Sequence, residues 1–409
     1  MAIAKVAAIH DITGVGRCGL SVVVPVLSAF GHQVCPLPTA VLSTHPAGFE
    51  GIHNHALDTD TKPILTHWLR EGLTFDACFT GFMSSAQQVR DVMVGIKNMK
   101  PGVLLVDPVL GDHGKLYGIV DAQMVDAMRE LAAVADLITP NLTEVFALLG
   151  REYVYKSYTH TEASELAETL AAQCRADCII KGVPCEDGCM MNVLHMYETK
   201  QTFFAEYAPV ATNYPGTGDV FASILLGAYL HTKGLERAFQ AATRVTTELV
   251  AYTYKKGTPA REGVLVEAFC PQMIARCGLL PKDEGHAGMT LQVVNQAFSV
   301  CQVGDLRQVE WTDAFCFVGK TDEENSVVCC TESVPPDVLA HEDGWRALRI
   351  QGVLDFSLTG ILARLATVLA NNQIGIFAIS TYNTDYILVK DENLARAVDA
   401  FRANGYDVK

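Results

Sequence analysis

The segment from Asn213 to Ser223 contains glycines and a carboxylate at a spacing that suits phosphoryl chemistry. Gly216 and Gly218 lack a Cβ atom, so the backbone can turn tightly there and direct its N–H groups at one point. The apolar run Val220–Leu230 predicts a buried helix, and the N-terminus of a helix carries partial positive charge that favours a phosphoryl group. Asp219 lies on the first turn, where its carboxylate can accept a proton from an attacking hydroxyl.

A second interpretation of the same segment needs no chemistry. Pro-Gly-x-Gly also forms ordinary turns, and aspartate is a favoured residue at helix N-termini, where its side chain caps free N–H groups. The spacing alone leaves both interpretations open, so the rest of the chain has to decide between them.

Two further carboxylates and a lysine are placed where they can hold a nucleotide and its metal. The strand predicted at Val103–Val106 delivers Asp107, and Glu144 follows Asn141 at the start of a predicted helix. Carboxylate oxygens are the ligands that Mg²⁺ prefers, directly or through water. Lys181, at the end of another predicted strand, adds a cation at the same rim. Taken singly, Asn141 and Glu144 are also ordinary helix-start residues.

Residues 3–270 alternate short β-branched runs with amphipathic stretches, which is the pattern of a layered α/β sheet. The clearest predicted strands are Lys5–Ile9, Gln33–Leu37, Ala77–Thr80, Val103–Val106, Leu137–Ile138 and Cys178–Lys181. The residues of chemical interest that follow them are Asp11, His45, Gly81, Asp107, Asn141 and Gly182. Because open α/β sheets bind ligands at the carboxyl ends of their strands, we expect one crevice that many loops line.

The first of these loops, Gly14–Gly19, matches the glycine fingerprint of dinucleotide-binding proteins. That fingerprint also requires an acidic residue about 20 positions later to bind the ribose, and none stands between Gly31 and Phe49. A NAD-dependent oxidoreductase is therefore kept as the contrasting hypothesis. Close backbone packing is the other explanation of these glycines.

The bulk composition narrows the class of protein. A chain of 409 residues is longer than one core usually accommodates, so two domains are expected. The net charge of −15 argues against a nucleic-acid partner or an acidic membrane surface. The apolar runs fall short of a membrane span, and no membrane partner is expected. Thirteen cysteines, an odd number spread through apolar segments, indicate reduced thiols and a cytoplasmic protein.

One group of cysteines, Cys174, Cys178, Cys185 and Cys189, raises the question of a structural zinc site. Structural zinc sites usually contain Cys-x-x-Cys knuckles, and this group has none. Cys178 also falls inside a predicted strand. Unrelated core and loop thiols therefore explain the group better than a zinc site does.

Taken together, the nucleotide and anion-hole motifs resemble those of the pyridoxal kinases, within the ribokinase-like superfamily: Asp107-Pro-Val-Leu-Gly-Asp112, Thr139-Pro-Asn-Leu-Thr-Glu144, Lys181 and Gly216-Thr-Gly-Asp219. The likeness covers roughly residues 3–270. Related hydroxymethylpyrimidine kinases typically carry a cysteine in place of Asp219 and lack the Gly-Asp pair after Asp-Pro-Val, so both features favour the pyridoxal branch. A Gly-x-x-x-x-Gly-Lys-[Ser/Thr] loop is missing, which excludes a P-loop kinase.

The resemblance implies an ATP- and Mg²⁺-dependent kinase that phosphorylates the 5′-hydroxymethyl group of pyridoxal, pyridoxamine or pyridoxine. It makes Asp219 the catalytic base and Gly216, Thr217 and Gly218 the anion hole. On the nucleotide side it assigns Asp107, Thr139, Asn141, Glu144 and Lys181, of which Asp107 and Glu144 would bind Mg²⁺ directly or through water. The alternatives are a hydroxymethylpyrimidine kinase or other small-alcohol kinase of the same fold, and a ligand-sensing protein with a vestigial kinase.

The same resemblance puts the substrate ring beside Asp11, the Ser43-Thr44-His45 turn and Phe82. Here the sequence departs from the family pattern. Asp11 stands where members usually have serine, Pro46 where they have threonine, and Phe82 where they have tyrosine. The phosphoryl-transfer motifs are intact, and the identity of the B6 vitamer stays open.

Residues 271–289, rich in proline, glycine and charge, predict a linker between domains 1–270 and 290–409. The second domain has a ferredoxin-like βαββαβ order, with predicted elements at Trp345–Ile350, Ser357–Asn371, Ile374–Thr381, Asp385–Val389, Asn393–Asn404 and Tyr406–Val408. The turn Asp355–Leu362 is similar to the ligand turn of ACT regulatory domains, and residues 290–335 would form a second, partial ACT-like unit. We expect this domain to bind a small-molecule effector or to serve dimerisation alone, in a homodimer.

Overall fold

The structure, a computed structural model, describes residues 3–279, 289–354 and 360–409. Its contacts divide the chain into two compact units, Met1–Leu280 and Pro281–Lys409. The hydrophobic clusters form within each unit. Over these described ranges, no helix combines the length and the apolar character that crossing a bilayer requires.

The first unit is built around a nine-stranded sheet. Strands β1 to β11 are, in chain order, Lys5–Val15, Gln33–Thr44, Asn54–Ala56, Ala77–Thr80, Leu104–Val106, Gly111–Asp112, Lys115–Leu116, Leu137–Ile138, Asp177–Pro184, Met190–His195 and Thr202–Tyr207. The order across the sheet is β11-β10-β9-β8-β5-β4-β1-β2-β3, while β6 and β7 form a separate hairpin. The strands from β9 to β2 run parallel, and the flanking strands are antiparallel.

Helices cover both faces of this sheet, so its parallel strands can be apolar throughout. Helices α1 to α9 are Leu20–Ala29, Asp58–Arg70, Ala86–Met99, Ala122–Ala132, Leu142–Leu149, His160–Cys174, Thr217–Thr232, Leu235–Lys255 and Met273–Arg276. One hydrophobic cluster joins the sheet to α2–α6, and a second joins it to α1 and α7–α9. The layered α/β prediction is confirmed. This arrangement brings the carboxyl ends of the parallel strands to one edge of the sheet.

The predicted linker does not begin at Pro271. Helix α9 belongs to the first unit, where the side chains of Met273, Cys277 and Leu279 are buried in the cluster around α7 and α8. Their apolar contacts outweigh the local proline and glycine signal on which the prediction rested. Residues 280–288, the rest of the predicted linker apart from Met289, lie outside the described ranges.

The second unit contains a seven-stranded sheet in the order β13-β14-β12-β15-β17-β16, with β18 paired to β12. Its elements are β12 Thr290–Val303, β13 Cys316–Lys320, β14 Asn325–Cys330, β15 Val338–Ile350, α10 Ile361–Asn371, β16 Phe377–Ser380, β17 Asp385–Lys390, α11 Leu394–Ala403 and β18 Asp407–Val408. The ferredoxin-like order from β15 to β18 is confirmed. Of the predicted ACT-like turn, residues 355–359 lie outside the described ranges, and Gly360, at φ 75°, caps α10.

The two halves of this unit share part of their strand order, since each half places its third strand between its first and second strands. In the first half, β12, β13, β14 and the beginning of β15 occupy the strand positions of a βαββαβ unit. Short 3₁₀ turns at Leu306–Gln308 and Thr331–Ser333 stand where α10 and α11 stand in the second half. Along β12, Thr290 pairs with Asp407 and Leu291 with Val408, so β18 runs parallel to the start of the unit.

The sheet of the second unit curls over one of its faces. Phe317 on β13 and Tyr386 on β17 have ring centroids 5.0 Å apart, although β14, β12 and β15 lie between their strands. Four strand spacings in a flat sheet would separate them by about 19 Å. Aromatic side chains therefore close the concave face and bury Phe298 completely, while α10 and α11 cover part of the convex face.

Candidate active site

The carboxyl ends of β1, β5 and β9 bring the polar residues of the candidate site to the start of α7. Asp107 directly follows β5, Lys181 lies on β9, and His10 and Asp11 lie on β1. A register shift interrupts the pairing of β1 with β2 between His10 and Ile12. Because such a bulge redirects side chains, it explains how consecutive residues of a long strand both reach the site.

Asp107, after β5, and Lys181, on β9, form a largely buried ion pair across β8. Lys181 Nζ lies 2.8 Å from Asp107 Oδ1 and 3.1 Å from Oδ2, and Asp107 is 2% exposed. Burial alone would lower the pKa of Lys181, but Asp107 and Glu144 raise it above its ordinary value. The lysine is therefore a fixed cation at neutral pH.

The glycines before α7 bring the helix start close to this cation. Gly216 caps α7 with φ 78°, and a Cβ atom there would lie 1.8 Å from the carbonyl oxygen of Arg17. A Cβ atom at Gly218 would lie 3.2 Å from Lys181 Nζ. The free N–H groups of the first helical turn and the ammonium group therefore face one small region. That region suits a phosphoryl group.

Asp219 is not the N-cap of α7, since Gly216 holds that position. Its Oδ2 accepts the N–H of Gly19 at 2.7 Å, and its Oδ1 lies 3.1 Å from His10 Nε2. Burial would raise the pKa of Asp219, but His10, Gly19 and Lys181 lower it below its ordinary value. The residue is 9% exposed. Asp219 is thus an ionised carboxylate held by other elements, so the simple capping interpretation does not fit.

His10 is a member of the site that the sequence did not reveal. Its Nδ1 lies 2.8 Å from Asp11 Oδ1 while its Nε2 faces Asp219. The ring is buried, and a Cβ atom at Gly81 would lie 1.9 Å from it, so the glycine after β4 makes room for the imidazole. The partner is 209 positions away, and no local motif links the two.

Asp11 has protein partners for both of its oxygens. Oδ1 contacts His10, and Oδ2 accepts the hydroxyl of Thr13 at 2.7 Å. The residue is 6% exposed. This geometry favours a role in orienting His10 over the predicted contact with a substrate ring.

The glycine fingerprint of the first loop is explained by packing. A Cβ atom at Gly16 would lie 2.2 Å from the ring of His45, and one at Gly19 would lie 2.4 Å from the carbonyl oxygen of Asp11. His45 in turn has its Nε2 2.7 Å from the carbonyl oxygen of Arg261. Gly19 also supplies the N–H that Asp219 accepts. Close packing is therefore sufficient, and the dinucleotide hypothesis gains no support.

Asn141 and Glu144 form a capping box at the start of α5. The side chain of Asn141 accepts the N–H of Glu144 at 3.0 Å, and Glu144 accepts the N–H of Asn141 at 2.8 Å. Glu144 also accepts the N–H of Leu110 at 3.3 Å. Burial raises the pKa of Glu144; Lys181 opposes this rise and Asp107 adds to it. Asn141 and Glu144 therefore cap α5, and the charge of Glu144 also interacts with Lys181.

Thr139 and Phe82 complete the set of predicted residues. Thr139 follows β8 and is fully buried, and its Oγ1 has no hydrogen-bond partner among the described residues. Phe82 follows β4 by two residues; its carbonyl accepts the hydroxyl of Thr39 at 2.7 Å, and its side chain is half-buried. The contact of the Phe82 ring with a substrate stays a prediction.

The hairpin of β6 and β7 brings one more side chain toward the site. His113 at its tip lies 2.9 Å from the side chain of Asn213, measured from Nε2 to Nδ2. Partial burial, followed by the charges of Glu144 and Asp112, raises the pKa of the Tyr117 phenol well above its ordinary value. The hairpin therefore reaches from the nucleotide-side residues to the loop before Gly216.

A divalent cation fits the charges of this region. Asp107 and Glu144 are buried carboxylates that share one cation, Lys181. The raised pKa of Glu144 reflects negative charge that burial leaves poorly compensated. Oxygen donors of this kind suit Mg²⁺, with Glu144 acting through water because its oxygens already accept two N–H groups.

Comparison with known families agrees with this geometry. The family model described as phosphomethylpyrimidine kinase matches residues 18–262, and an ACT domain model matches residues 340–403. The chain belongs to the phosphomethylpyrimidine kinase family. The ACT match falls in the second unit and begins within β15.

The relatives and structural neighbours of this chain include several B6 kinases. A pyridoxine/pyridoxal/pyridoxamine kinase from Bordetella avium is 30% identical over 249 residues, 58% of this chain and 81% of that protein. The pyridoxal kinase structure from Lactobacillus plantarum has a TM-score of 0.62 at 29% identity and covers 67% of this chain and 98% of its own. Pyridoxal kinase from Leishmania donovani with ADP and pyridoxamine has a TM-score of 0.59 at 25% identity, with 66% and 95% covered. The ribokinase-like fold and the C-terminal ACT domain are confirmed.

His10 should make the stability of this kinase-family chain depend on pH. Burial would lower the pKa of His10, but Asp219 and Asp11 raise it from 6.5 to about 10. The imidazolium therefore contributes stability that is complete below about pH 6.5 and is lost as the pH rises to about 10. Urea denaturation across this window is expected to show a steeper loss of unfolding free energy for the wild type than for His10→Asn. If the unfolding free energies of the two proteins fell equally steeply with pH, His10 would not carry the proposed charge.

Proposed function

We propose that this protein transfers the γ-phosphoryl group of ATP to the 5′-hydroxymethyl group of pyridoxal, pyridoxamine or pyridoxine. The observation that carries the proposal is the ionised carboxylate of Asp219 beside the start of α7 and the Lys181 cation. A proton acceptor next to an anion site is what an alcohol kinase needs. The substrate class is taken from the similar B6 kinases of Bordetella avium and Leishmania donovani, the second of which was solved in complex with ADP and pyridoxamine.

The transfer follows from the residues of this chain. The substrate oxygen attacks the γ-phosphorus, the bond to the β-phosphate oxygen breaks, and ADP leaves with its electron pair. Asp219 accepts the hydroxyl proton. Because the transition state of phosphoryl transfer is loose and its charge lies on the equatorial oxygens, the N–H groups at Gly216–Gly218 and the Lys181 ammonium stabilise that charge. A weakly basic carboxylate is sufficient, since the proton is transferred late.

Asp107 and Glu144 are the residues that would hold Mg²⁺, as argued above from their burial and charge. The bound ion would supply positive charge next to the nucleotide phosphates. Thr139, whose buried hydroxyl has no partner among the described residues, and Asn141 lie on the same side of the site. We assign both to nucleotide binding.

Turnover on a panel of alcohols tests the proposed function directly. Purified protein with ATP and Mg²⁺ would be given pyridoxal, pyridoxamine, pyridoxine and hydroxymethylpyrimidine, with ADP formation and the mass of the product both measured. A kcat/KM at least tenfold higher for a B6 vitamer than for hydroxymethylpyrimidine is expected. The reverse order would assign the pyrimidine substrate, and the lack of any phosphorylated product would leave a ligand-sensing protein.

Asp11→Ser distinguishes two roles for Asp11. If Asp11 orients His10, as its partners indicate, the substitution shifts the alkaline limb of the pH–kcat profile and leaves the KM for pyridoxal nearly unchanged. If Asp11 instead binds the ring nitrogen, the KM for pyridoxal rises and the pH profile keeps its shape. Steady-state kinetics at several pH values separates the two results, with the KM for ATP as the internal control.

We also propose that the second unit binds a small-molecule effector of the kinase. The proposal is supported by the ACT domain match and by the left-handed Gly360 at the start of α10. Coupling between two sites is typically about 1–3 kcal/mol, so an effector is expected to change the affinity for ATP or substrate by roughly 5–150-fold. Calorimetric titration of the full chain with amino acids and B6 compounds, followed by kinetics with any that bind, tests this. Titrations without heat would leave a dimerisation role.

A tandem ACT-like pair, a homodimer and a cytoplasmic location belong to the same proposal. The strand order that the two halves share in part supports the tandem pair. The sheet ends in β13 and β16, whose outer backbone groups can pair with a second copy. All 13 cysteines are free, which suits a reducing compartment. Sedimentation equilibrium of the full chain measures the oligomeric state.

A further inference from the structure

A cluster of metal-ligating side chains lies outside the proposed kinase site. Among the described residues, one group of cysteine, histidine and acidic side chains brings three donor atoms within 4.8 Å of one another: Cys185, Cys189 and Glu206. Cys185 is buried, Cys189 is half-buried and Glu206 is exposed. The proposed phosphoryl transfer uses none of these residues. We propose that they form a binding site for Zn²⁺ or a similarly soft divalent cation.

The backbone preorganises the two thiols. Cys185 and Cys189 flank the tight connection between β9 and β10, where the N–H of Cys185 donates to the carbonyl of Cys189 at 3.0 Å. Gly188, at φ 77°, allows the turn that closes this loop. A Cys-x-x-x-Cys spacing lies within the range that zinc sites use. The absence of a two-residue knuckle in the sequence therefore does not exclude the site.

Strand pairing brings the carboxylate to the same place. Glu206 on β11 stands opposite Met191 on β10, and Cys189 is two residues before Met191. Cys189 directly precedes β10, and its sulfur lies within 4.8 Å of a Glu206 carboxylate oxygen. The Glu206 carboxylate is also held by His160, whose Nε2 lies 2.9 Å from Oε1.

The dimensions and surroundings suit a metal ion. A tetrahedral zinc ion with Zn–S bonds of about 2.3 Å separates two sulfurs by about 3.8 Å, so donors already within 4.8 Å need little movement. His160 packs edge-on against Phe204 with ring centroids 4.4 Å apart, and a partner of this kind orients a ligating carboxylate. An open hollow of about 380 Å³ beside Cys189, Glu206 and Tyr207 provides the entry path.

Proton release should accompany binding. A cysteine thiol with its ordinary pKa of about 8.5 is mostly protonated at neutral pH when no metal is bound. Metal ligation deprotonates thiols. One Zn²⁺ ion and two thiols give a zinc dithiolate and two protons, with no change of oxidation state. The affinity for zinc is therefore expected to fall steeply as the pH is lowered.

Direct metal titration tests the site without any measurement of kinase turnover. The full chain, reduced and freed of metal, would be titrated with Zn²⁺ against a coloured competing chelator, and separately with Co²⁺. One Zn²⁺ per chain and a thiolate-to-cobalt charge-transfer absorption are expected. Mg²⁺ should not displace the cobalt. A reduced protein that takes up no zinc, or cobalt spectra without a thiolate band, would overturn the proposal.

Variants assign the ligands. Cys185→Ser with Cys189→Ser is expected to abolish the charge-transfer band, whereas Cys35→Ser, a change at a half-buried thiol on β2, should keep it. His160→Ala should weaken binding by about 10–100-fold, and Glu206→Gln by more. Glu206 and His160 are half-exposed, so these two variants are expected to fold. Undiminished zinc binding in the double cysteine variant, or in Glu206→Gln, would refute the assignment.

Discussion

Asp219→Asn is expected to lower kcat by about 10²–10⁴-fold while the KM for ATP changes little. The amide keeps the shape of the side chain and can still accept the N–H of Gly19, but it cannot take the proton of the attacking hydroxyl. Steady-state kinetics with pyridoxal measures this loss. The expected effect exceeds what a lost hydrogen bond to His10 would produce, because the reacting proton loses its acceptor.

A matched control exists at the start of α4. Asp121 caps that helix by accepting the N–H of Met124 at 2.8 Å, and Asp121→Asn makes the same chemical change at a helix start. Its kcat should equal that of the wild type. If Asp219→Asn retained near-normal kcat as well, Asp219 would not be the base, and its interactions with His10 and Gly19 would be structural.

Lys181→Met is expected to lower both stability and activity. Removing one partner of a buried ion pair leaves Asp107 without its cation, which typically costs about 3–5 kcal/mol. Loss of positive charge at the start of α7 should also lower kcat by about 10²–10³-fold, as for the removal of one oxyanion-hole donor. Denaturation curves and steady-state kinetics measure the two effects separately.

The double variant Lys181→Met with Asp107→Asn separates the two causes. The double variant lacks both the Lys181 cation and the Asp107 carboxylate, so no unpaired charge is left buried and most of the stability lost in Lys181→Met should return. Its kcat should stay low, because both charged groups that the reaction uses are still missing. Lys156→Met provides the comparison at an exposed pair with Glu162, where solvent screening makes the expected loss of stability small. A double variant with wild-type kcat would exclude Lys181 and Asp107 from the chemistry.

Much of the fold around the candidate site could be predicted, because neighbouring residues in the sequence mark where its strands end and its helices begin. The apolar run ending at Asp107, and the glycines before Asp219, mark a strand end and a helix start from neighbouring residues alone. Parallel strands then bring such ends to one edge of the sheet. That step was enough to predict a crevice containing Asp107 and Lys181, which the structure joins in one ion pair.

The rest depends on contacts between distant parts of the chain. Nothing in the sequence around His10 distinguishes it from other polar residues of a strand, and its partner Asp219 is 209 positions away. The partners of Asp11 are hard to predict for the same reason, since its contacts with His10 and Thr13 are set by a bulge in β1 that has no sequence signal. Local composition predicts a linker at Met273 because composition does not report that this side chain is buried in the cluster around α7 and α8.

The pairing of β12 with β18 has a consequence for how the second unit folds. Thr290 and Leu291 find their parallel partners at Asp407 and Val408, so the sheet closes across a loop on the order of a hundred residues. Long-range closure of this kind slows folding. During synthesis, the ribosome must release the segment around Asp407 before β12 gains this neighbour, and until then the edge of β12 is exposed to pairing with other chains. Co-translational folding of this unit is therefore expected to finish late, after the kinase-family unit has formed.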